Sequence, residues 1–110
     1  MIKVDMILDE AGLFKSCRVS GHAGAGKQGN DIVCAAVSVL TRTTVRVLAG
    51  RQDIMIRGDI PEPGNFYLEV EYKPEGREFL TAVGAFLSEG LLSVSAEFPG
   101  NCKVNIERRK

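Results

Sequence analysis

From Asn30 to Ala49 the chain contains neither Gly nor Pro, while residues 21–29 just before it, Gly-His-Ala-Gly-Ala-Gly-Lys-Gln-Gly, hold four glycines. A breaker-free run of that length is too long for an ordinary strand and predicts a helix, and the glycine-rich stretch is too flexible for the interior of any element and predicts a loop. Asn30 and Asp31 are good helix-start residues and Gly50 is a stop signal, so the helix is expected over 32 to about 49, beginning near Asn30 or Asp31. Its first half, Ile-Val-Cys-Ala-Ala-Val-Ser-Val-Leu, is apolar nearly all round, whereas Arg42, Thr43 and Arg46 give the second half a polar face. The first half is therefore expected at the centre of the fold.

The remaining elements follow from alternation and turn chemistry. Ile2, Val4, Met6 and Leu8 alternate with Lys3, Asp5 and Ile7, and Asp9-Glu10-Ala11-Gly12 turns the chain into a second extended run over 13–20. Residues 53–59 and 66–72 form a second hairpin pattern around Pro61, Pro63 and Gly64. After Pro74-Glu75-Gly76, an apolar stripe of Phe79, Leu80, Val83, Phe86, Leu87 and Leu91 marks an amphipathic helix, weakened by Gly84 and Gly90. A last strand is expected over 102–107, followed by a solvated tail at 108–110. The order ββαββαβ implies an α+β fold, sandwich-like, with a mostly antiparallel sheet of about five strands and two helices packed on it.

The 110 residues, 45% of them apolar, suffice for a single domain over residues 1–110 with a core that needs neither metal nor disulfide. Lys+Arg 14 balance Asp+Glu 14, aromatics make up 6%, and Trp is absent, so neither a cationic stripe nor stacking platforms favour direct nucleic-acid binding. Cys17, Cys34 and Cys102 form an odd set without a C-x-x-C pair, which fits free thiols in a reducing compartment. The alternating N-terminus reads as a strand and not as a leader, so a cytoplasmic protein is expected. No uninterrupted apolar stretch approaches the ~20 residues that cross a bilayer, so no membrane span is expected.

Chemistry concentrates where the glycine loop meets the first helix. His22, the sole histidine, lies in the loop, and Cys34 would lie in the first helical turn, where unpaired N–H groups and the helix dipole favour a thiolate. His22 could reach back as the base a thiol nucleophile needs, and the same turn offers donors to an oxyanion, which suggests acyl transfer. Structural readings stand beside these. Cys34 sits among Val33, Ala35, Ala36 and Val37 and could be a packed, inert thiol, and His22 a surface or capping residue. Asp31 could stabilise the helix start or orient an imidazole, and Ser38, one turn after Cys34, could bond back to the helix. Cys17 and Cys102 read as core residues.

Two other motifs compete for the region. Gly21 to Gln28 matches a phosphate-binding loop until its last position, where Gln28 replaces the hydroxyl that would hold magnesium, and the expected fold is not the parallel nucleotide-binding one. Cys17, His22, Cys34 and Cys102 have the ligand types for zinc but not its paired local spacing. Neither a metal nor another cofactor is expected.

Gly21-His22-Ala23 followed by Asp31-Ile32-Val33-Cys34-Ala35-Ala36-Val37-Ser38 resembles the signature of the ribosomal-processing cysteine proteases, the Prp family, and the likeness in length and element order covers essentially the whole chain. The resemblance implies that His22 and Cys34 are the catalytic pair, with Gly21, Asp31 and Ser38 in support. It implies a thiol endopeptidase that removes the N-terminal extension of a bacterial large-subunit ribosomal protein, a step in ribosome assembly. It also implies a cytoplasmic α/β homodimer without a metal, whose partner is the precursor ribosomal protein. Ala25 stands where some relatives carry an aromatic residue, which would alter how substrate is gripped. The reading from another class is a non-catalytic ribosome-associated binding module of the same fold.

Overall fold

The computed structural model describes residues 1–21, 28–62 and 65–109, with the backbone alone at 28–31 and 59–62. Five strands, β1 (Ile2–Leu8), β2 (Phe14–Ser20), β3 (Ile54–Glu62), β4 (Asn65–Tyr72) and β5 (Cys102–Arg108), carry two helices, α1 (Gln28–Ala49) and α2 (Arg77–Glu97). The strand order is β3-β4-β2-β1-β5. The sheet is mixed and not mostly antiparallel, because β5 pairs with β1 in parallel while β1–β2, β2–β4 and β3–β4 are antiparallel. The reason is the long crossover through α2, which carries the chain from β4 across to the far edge and sets β5 down in the direction of β1.

The opening hairpin turns as expected. The Leu13 N–H donates to Asp9 Oδ1 at 2.9 Å, and Gly12 adopts φ +89, a conformation that favours glycine. On β2, strict alternation would put Phe14 and Cys17 on opposite faces, yet both are buried. Pairing jumps from Ile7–Ser16 to Leu8–Phe14, so Lys15 is an extra residue that reverses the parity of the strand. One face of the sheet thus presents Val4, Met6, Phe14, Cys17, Val19, Leu68 and Val70 to the helices, all within a single buried cluster.

α1 packs on β3, and α2 packs on β5 and β2. The stripe Val33, Val37, Thr41, Thr44 and Leu48 is buried on α1, and the two threonines return their hydroxyls to the carbonyls of Val37 and Leu40. Contrary to expectation, the apolar first half of α1 is not enclosed all round: Ile32 is 49% and Val39 64% exposed. Gly84 and Gly90 lower helix propensity but bring α2 close to its neighbours. A Cβ there would come within 2.8 Å of Phe14 Cβ and Leu40 Cδ2 respectively. At the far end of α1, Arg51 pairs with Asp53 at 2.6 Å and stacks over Phe79 at 4.3 Å, tying the α1–β3 turn to α2. β5 outruns its expected end. Arg108 belongs to the strand and the Arg109 N–H reaches the Leu8 carbonyl, so these residues are not a free tail.

Contrary to expectation, Ile32–Ala49 and Pro74–Glu97 are each long and apolar enough to cross a membrane by length and composition, although polar residues interrupt both. Each lays a buried stripe along the sheet, as core helices do. The opposite face of the sheet is charged and largely self-paired: Arg18 stacks over Tyr67 at 4.4 Å, the Tyr67 hydroxyl donates to Glu69 at 2.6 Å, and Asn105 donates to Asp5 at 3.2 Å. A shallow cavity of about 380 Å³ on that face is bordered by Arg57, Tyr67 and Glu69 and lies across the sheet from α1.

Candidate active site

The chain direction of each element places the site. β2 ends at Ser20 beside the start of β1, since Ser20 pairs with Lys3, and Val19 pairs with Phe66 near the start of β4. The glycine loop departs from this end of the sheet, and α1 returns from it toward the opposite end, where β3 begins. The N-terminal part of α1 therefore stands over the end of the sheet from which the loop leaves. Gly21 makes the exit possible. Its φ is +108, and a Cβ at this position would lie 2.2 Å from the Met1 carbonyl oxygen, so no side chain fits. His22 itself lies outside the described residues, as does the side chain of Asp31, whose backbone is in the first turn of α1.

Cys34 is half-buried and packs against the core. It is not in the first helical turn. α1 begins at Gln28, which makes Cys34 its seventh residue and puts its N–H inside the regular hydrogen-bond ladder. The glycine and polar residues at 28–31 join the helix instead of remaining in the loop, and the N–H groups that lack an intrahelical partner are theirs, one turn before Cys34. Because the Cα–Cβ bond of a helical residue tilts toward the N-terminus, the thiol still leans toward that turn and the positive end of the dipole.

Ser38 follows Cys34 by one turn, half-buried on the same flank. Among the described residues its hydroxyl does not bond back to the helix, and its carbonyl instead accepts from Thr41 at 3.2 Å. With Val45, these two residues form the flank of α1 turned away from α2, since Leu40 and Val47, which border the groove toward α2, occupy the other side of the buried stripe. This flank looks out over β3, the edge strand. Residue type alone did not single it out, but the 3.6-residue period shows it once the side facing α2 is known.

The other two thiols are held inert. Cys17 is fully enclosed at the middle of the sheet, and burial, aided by the charge of Asp5, pushes its thiol up to about 12. Burial also raises Cys102, whose carbonyl accepts from the Ser95 hydroxyl at 3.0 Å. Among the described residues, no group of three or more His, Cys, Asp or Glu side chains is placed to hold a metal.

Comparison with known proteins decides the family. The family described as Cysteine protease Prp matches residues 1–103. The chain belongs to it. No curated protein matches the chain significantly. Among solved structures, SMU.848 from Streptococcus mutans is similar with a TM-score of 0.81 at 27% identity, over 99% of this chain and 96% of that one. The essential ribosomal processing protease Prp from S. aureus, in complex with a substrate peptide, is similar with a TM-score of 0.81 at 21% identity, over 96% of this chain and 99% of that one. A second structure of the S. aureus protein, with a covalently linked product peptide, gives 0.80 at 22% identity over the same shares. The fold thus recurs in SMU.848 and in the S. aureus protease.

Proposed function

We propose that this Prp-family chain is a cysteine endopeptidase in which Cys34 is the nucleophile and His22 its base and acid. The observation that carries the reading is the match to the family over residues 1–103, combined with a single half-buried thiol beside two enclosed ones. Cys34 gives its proton to the imidazole of His22 and attacks the scissile carbonyl as thiolate, forming a tetrahedral oxyanion. Collapse of that intermediate breaks the C–N bond, the imidazolium protonates the leaving amine, and a thioester remains. Water, deprotonated by His22, then attacks the thioester and releases a carboxylate and the free thiol. The N–H groups of residues 28–31 are the nearest unpaired donors for the oxyanion, and Gly21, Asp31 and Ser38 support the loop exit, the helix start and the flank.

The substrate is the precursor of a bacterial large-subunit ribosomal protein, whose N-terminal extension is removed in the cytoplasm during ribosome assembly. Two similar structures of a ribosomal processing protease hold a substrate and a product peptide, which supports a polypeptide substrate here. With charges balanced at 14 each, recognition of the precursor protein is favoured over direct contact with nucleic acid. The working unit is a homodimer. Its support is the apolar groove of about 590 Å³ between α1 and α2, rimmed by Val39 at 64%, Val47 at 42% and Phe86 at 72% exposure.

The test is incubation of the protein with a peptide spanning the extension junction, read by mass spectrometry, with Cys34→Ala and His22→Ala in parallel. Cleavage at one bond, lost in both variants, is expected. An intact peptide with the wild-type protein would turn the assignment to a non-catalytic ribosome-associated binding module.

A further inference from the structure

Two strands edge the sheet, β3 and β5, and they are built differently. β3 carries Gly58, Pro61 and a shift in its ladder with β4, features that keep an edge from pairing further. β5 has none of these. Its seven residues, Cys-Lys-Val-Asn-Ile-Glu-Arg, pair with β1 from Ile2–Cys102 to Leu8–Arg108 without a break.

The parallel ladder fixes which groups of β5 are left over. At its two ends the Ile2 N–H donates to the Asn101 carbonyl and the Arg109 N–H donates to the Leu8 carbonyl, each at 2.9 Å. Alternate residues of a parallel strand bond to one neighbour, so the odd-numbered ones turn to β1, and Val104, Ile106 and Arg108 turn their N–H and C=O groups to the open edge. Cys102 is already engaged, its N–H by the Phe98 carbonyl and its carbonyl by the Ser95 hydroxyl. On the helix side of this edge Val104 is half-buried, Ile106 is 37% exposed, and Leu92, one turn before Ser95 on the flank of α2 away from α1, is 41% exposed. On the other side Lys103 stands directly opposite Lys3, two like charges without an ion pair among the described residues.

We propose that β5 of a second copy of this chain pairs antiparallel with this edge about a two-fold axis through Asn105, so that one sheet runs through both copies. In that register Val104 faces the partner's Ile106, and their open N–H and C=O groups bond across as a closely paired set. Lys103 faces the partner's Glu107, whose carboxylate arrives where Lys3 and Lys103 stand together. An isologous contact needs a self-complementary strand, and Lys-Val-Asn-Ile-Glu is one about its central residue. Moving the axis to Ile106 would set Lys103 against the partner's Arg109, and moving it to Val104 would leave Glu107 against the partner's Asn101. Glu107 is held on its own strand by Arg109 at 2.7 Å, but both side chains are more than half exposed and such a pair is worth little. The edge is apart from the groove between α1 and α2, so this contact joins two of the homodimers proposed above and depends on neither the groove nor the peptidase.

Gel filtration with light scattering tests this through two charge reversals. Lys103→Glu opposes two carboxylates across the axis and Glu107→Lys opposes two ammonium groups, whereas one variant against the other matches opposite charges at both positions. Between about 1 µM and about 1 mM, where a small interface dissociates, the wild-type mass should rise to about twice that of either variant, and an equimolar mixture of the variants should regain it. A wild-type mass that does not rise, or variants that match it throughout, would overturn the contact. Variants that stay small when mixed would overturn the register. Recovery in the mixture also separates the effect from failed folding, since a misfolded chain is not restored by meeting another. The second measurement is oxidative cross-linking of Cys34→Ala chains that carry either Asn105→Cys or Lys103→Cys. The axis sets position 105 opposite itself at about 4.5 Å between Cα atoms, within disulfide reach, so Asn105→Cys should cross-link and Lys103→Cys should not. Absence of the Asn105→Cys cross-link, or equal cross-linking of both, would overturn the axis.

Discussion

Cys17 and Cys34 occupy opposite kinds of place in one small molecule. Cys17 lies at the centre of the sheet, flanked by β1 and β4 and covered by the helices, where no solvent reaches and the thiol is pushed up to about 12. Cys34 lies on a helix flank, half-buried, one turn from the N–H groups that lack an intrahelical partner and at the end of the sheet from which the glycine loop departs. A thiol becomes a nucleophile through access and a nearby base, and of the two places only the half-buried one offers access. The first offers packing. Both positions are cysteines, so the environment and not the residue type separates them.

The strongest way to break this contrast is to exchange the substitutions. Cys34→Ala should lower kcat/KM for the junction peptide by about 10³-fold or more with little change in stability. Cys17→Ala should keep activity within about twofold while costing about 1–2 kcal/mol of stability by urea unfolding, because it opens space in a packed core. A Cys17→Ala protein that folds but has lost cleavage would invert the assignment. The next largest effect is in labelling. At neutral pH, iodoacetamide should modify Cys34 at least about 10²-fold faster than Cys17 or Cys102, with all three reacting once the chain is unfolded; mass spectrometry of the folded protein reads the order directly.

Gly21→Ala sharpens the comparison at the loop exit. A Cβ 2.2 Å from the Met1 carbonyl oxygen, on a residue at φ +108, should cost on the order of 2–3 kcal/mol, seen as a lower urea midpoint with an unchanged slope. The smallest effect belongs to the far end of α1. Hydrogen bonding to Arg51 holds the Asp53 carboxyl below its ordinary value, with the Arg51 charge acting in the same direction. The folded state therefore prefers the ionised form, and the contribution is present above the ordinary carboxylate range of about 4 and lost as pH falls through the lowered value. Acid titration of the unfolding midpoint should be slightly shallower below about pH 4 in Asp53→Asn than in wild type. Cleavage near neutral pH should be the same in both, since this ion pair lies away from Cys34.

Much of the architecture was legible because it is written in local periods and turn chemistry. The Asp9-Glu10-Ala11-Gly12 turn, the alternation of Ile2, Val4 and Met6 and the stripe around Leu80, Leu87 and Leu91 each act within a few residues, where backbone geometry translates directly into pattern. Candidate site residues were legible through the Gly21-His22-Ala23 and Asp31-to-Ser38 motifs. The start of α1 was misplaced because Gln28 and Gly29 have weak preferences that the growing helix overrides, and this moved Cys34 from the first turn to the second.

Composition and pattern settled which segments become strands and helices, that the chain has apolar residues enough for a core, and that a histidine within a glycine loop precedes a cysteine on the helix that follows. Long-range packing settled the rest. The extra residue at Lys15 turns Phe14 and Cys17 to the same face, the α2 crossover sets β5 parallel to β1, and α2 covers one side of α1 so that the Cys34 flank is left facing β3. Local pattern cannot encode these outcomes, because each depends on which distant surface a segment meets, and that is fixed only when the apolar faces of all the elements are buried together.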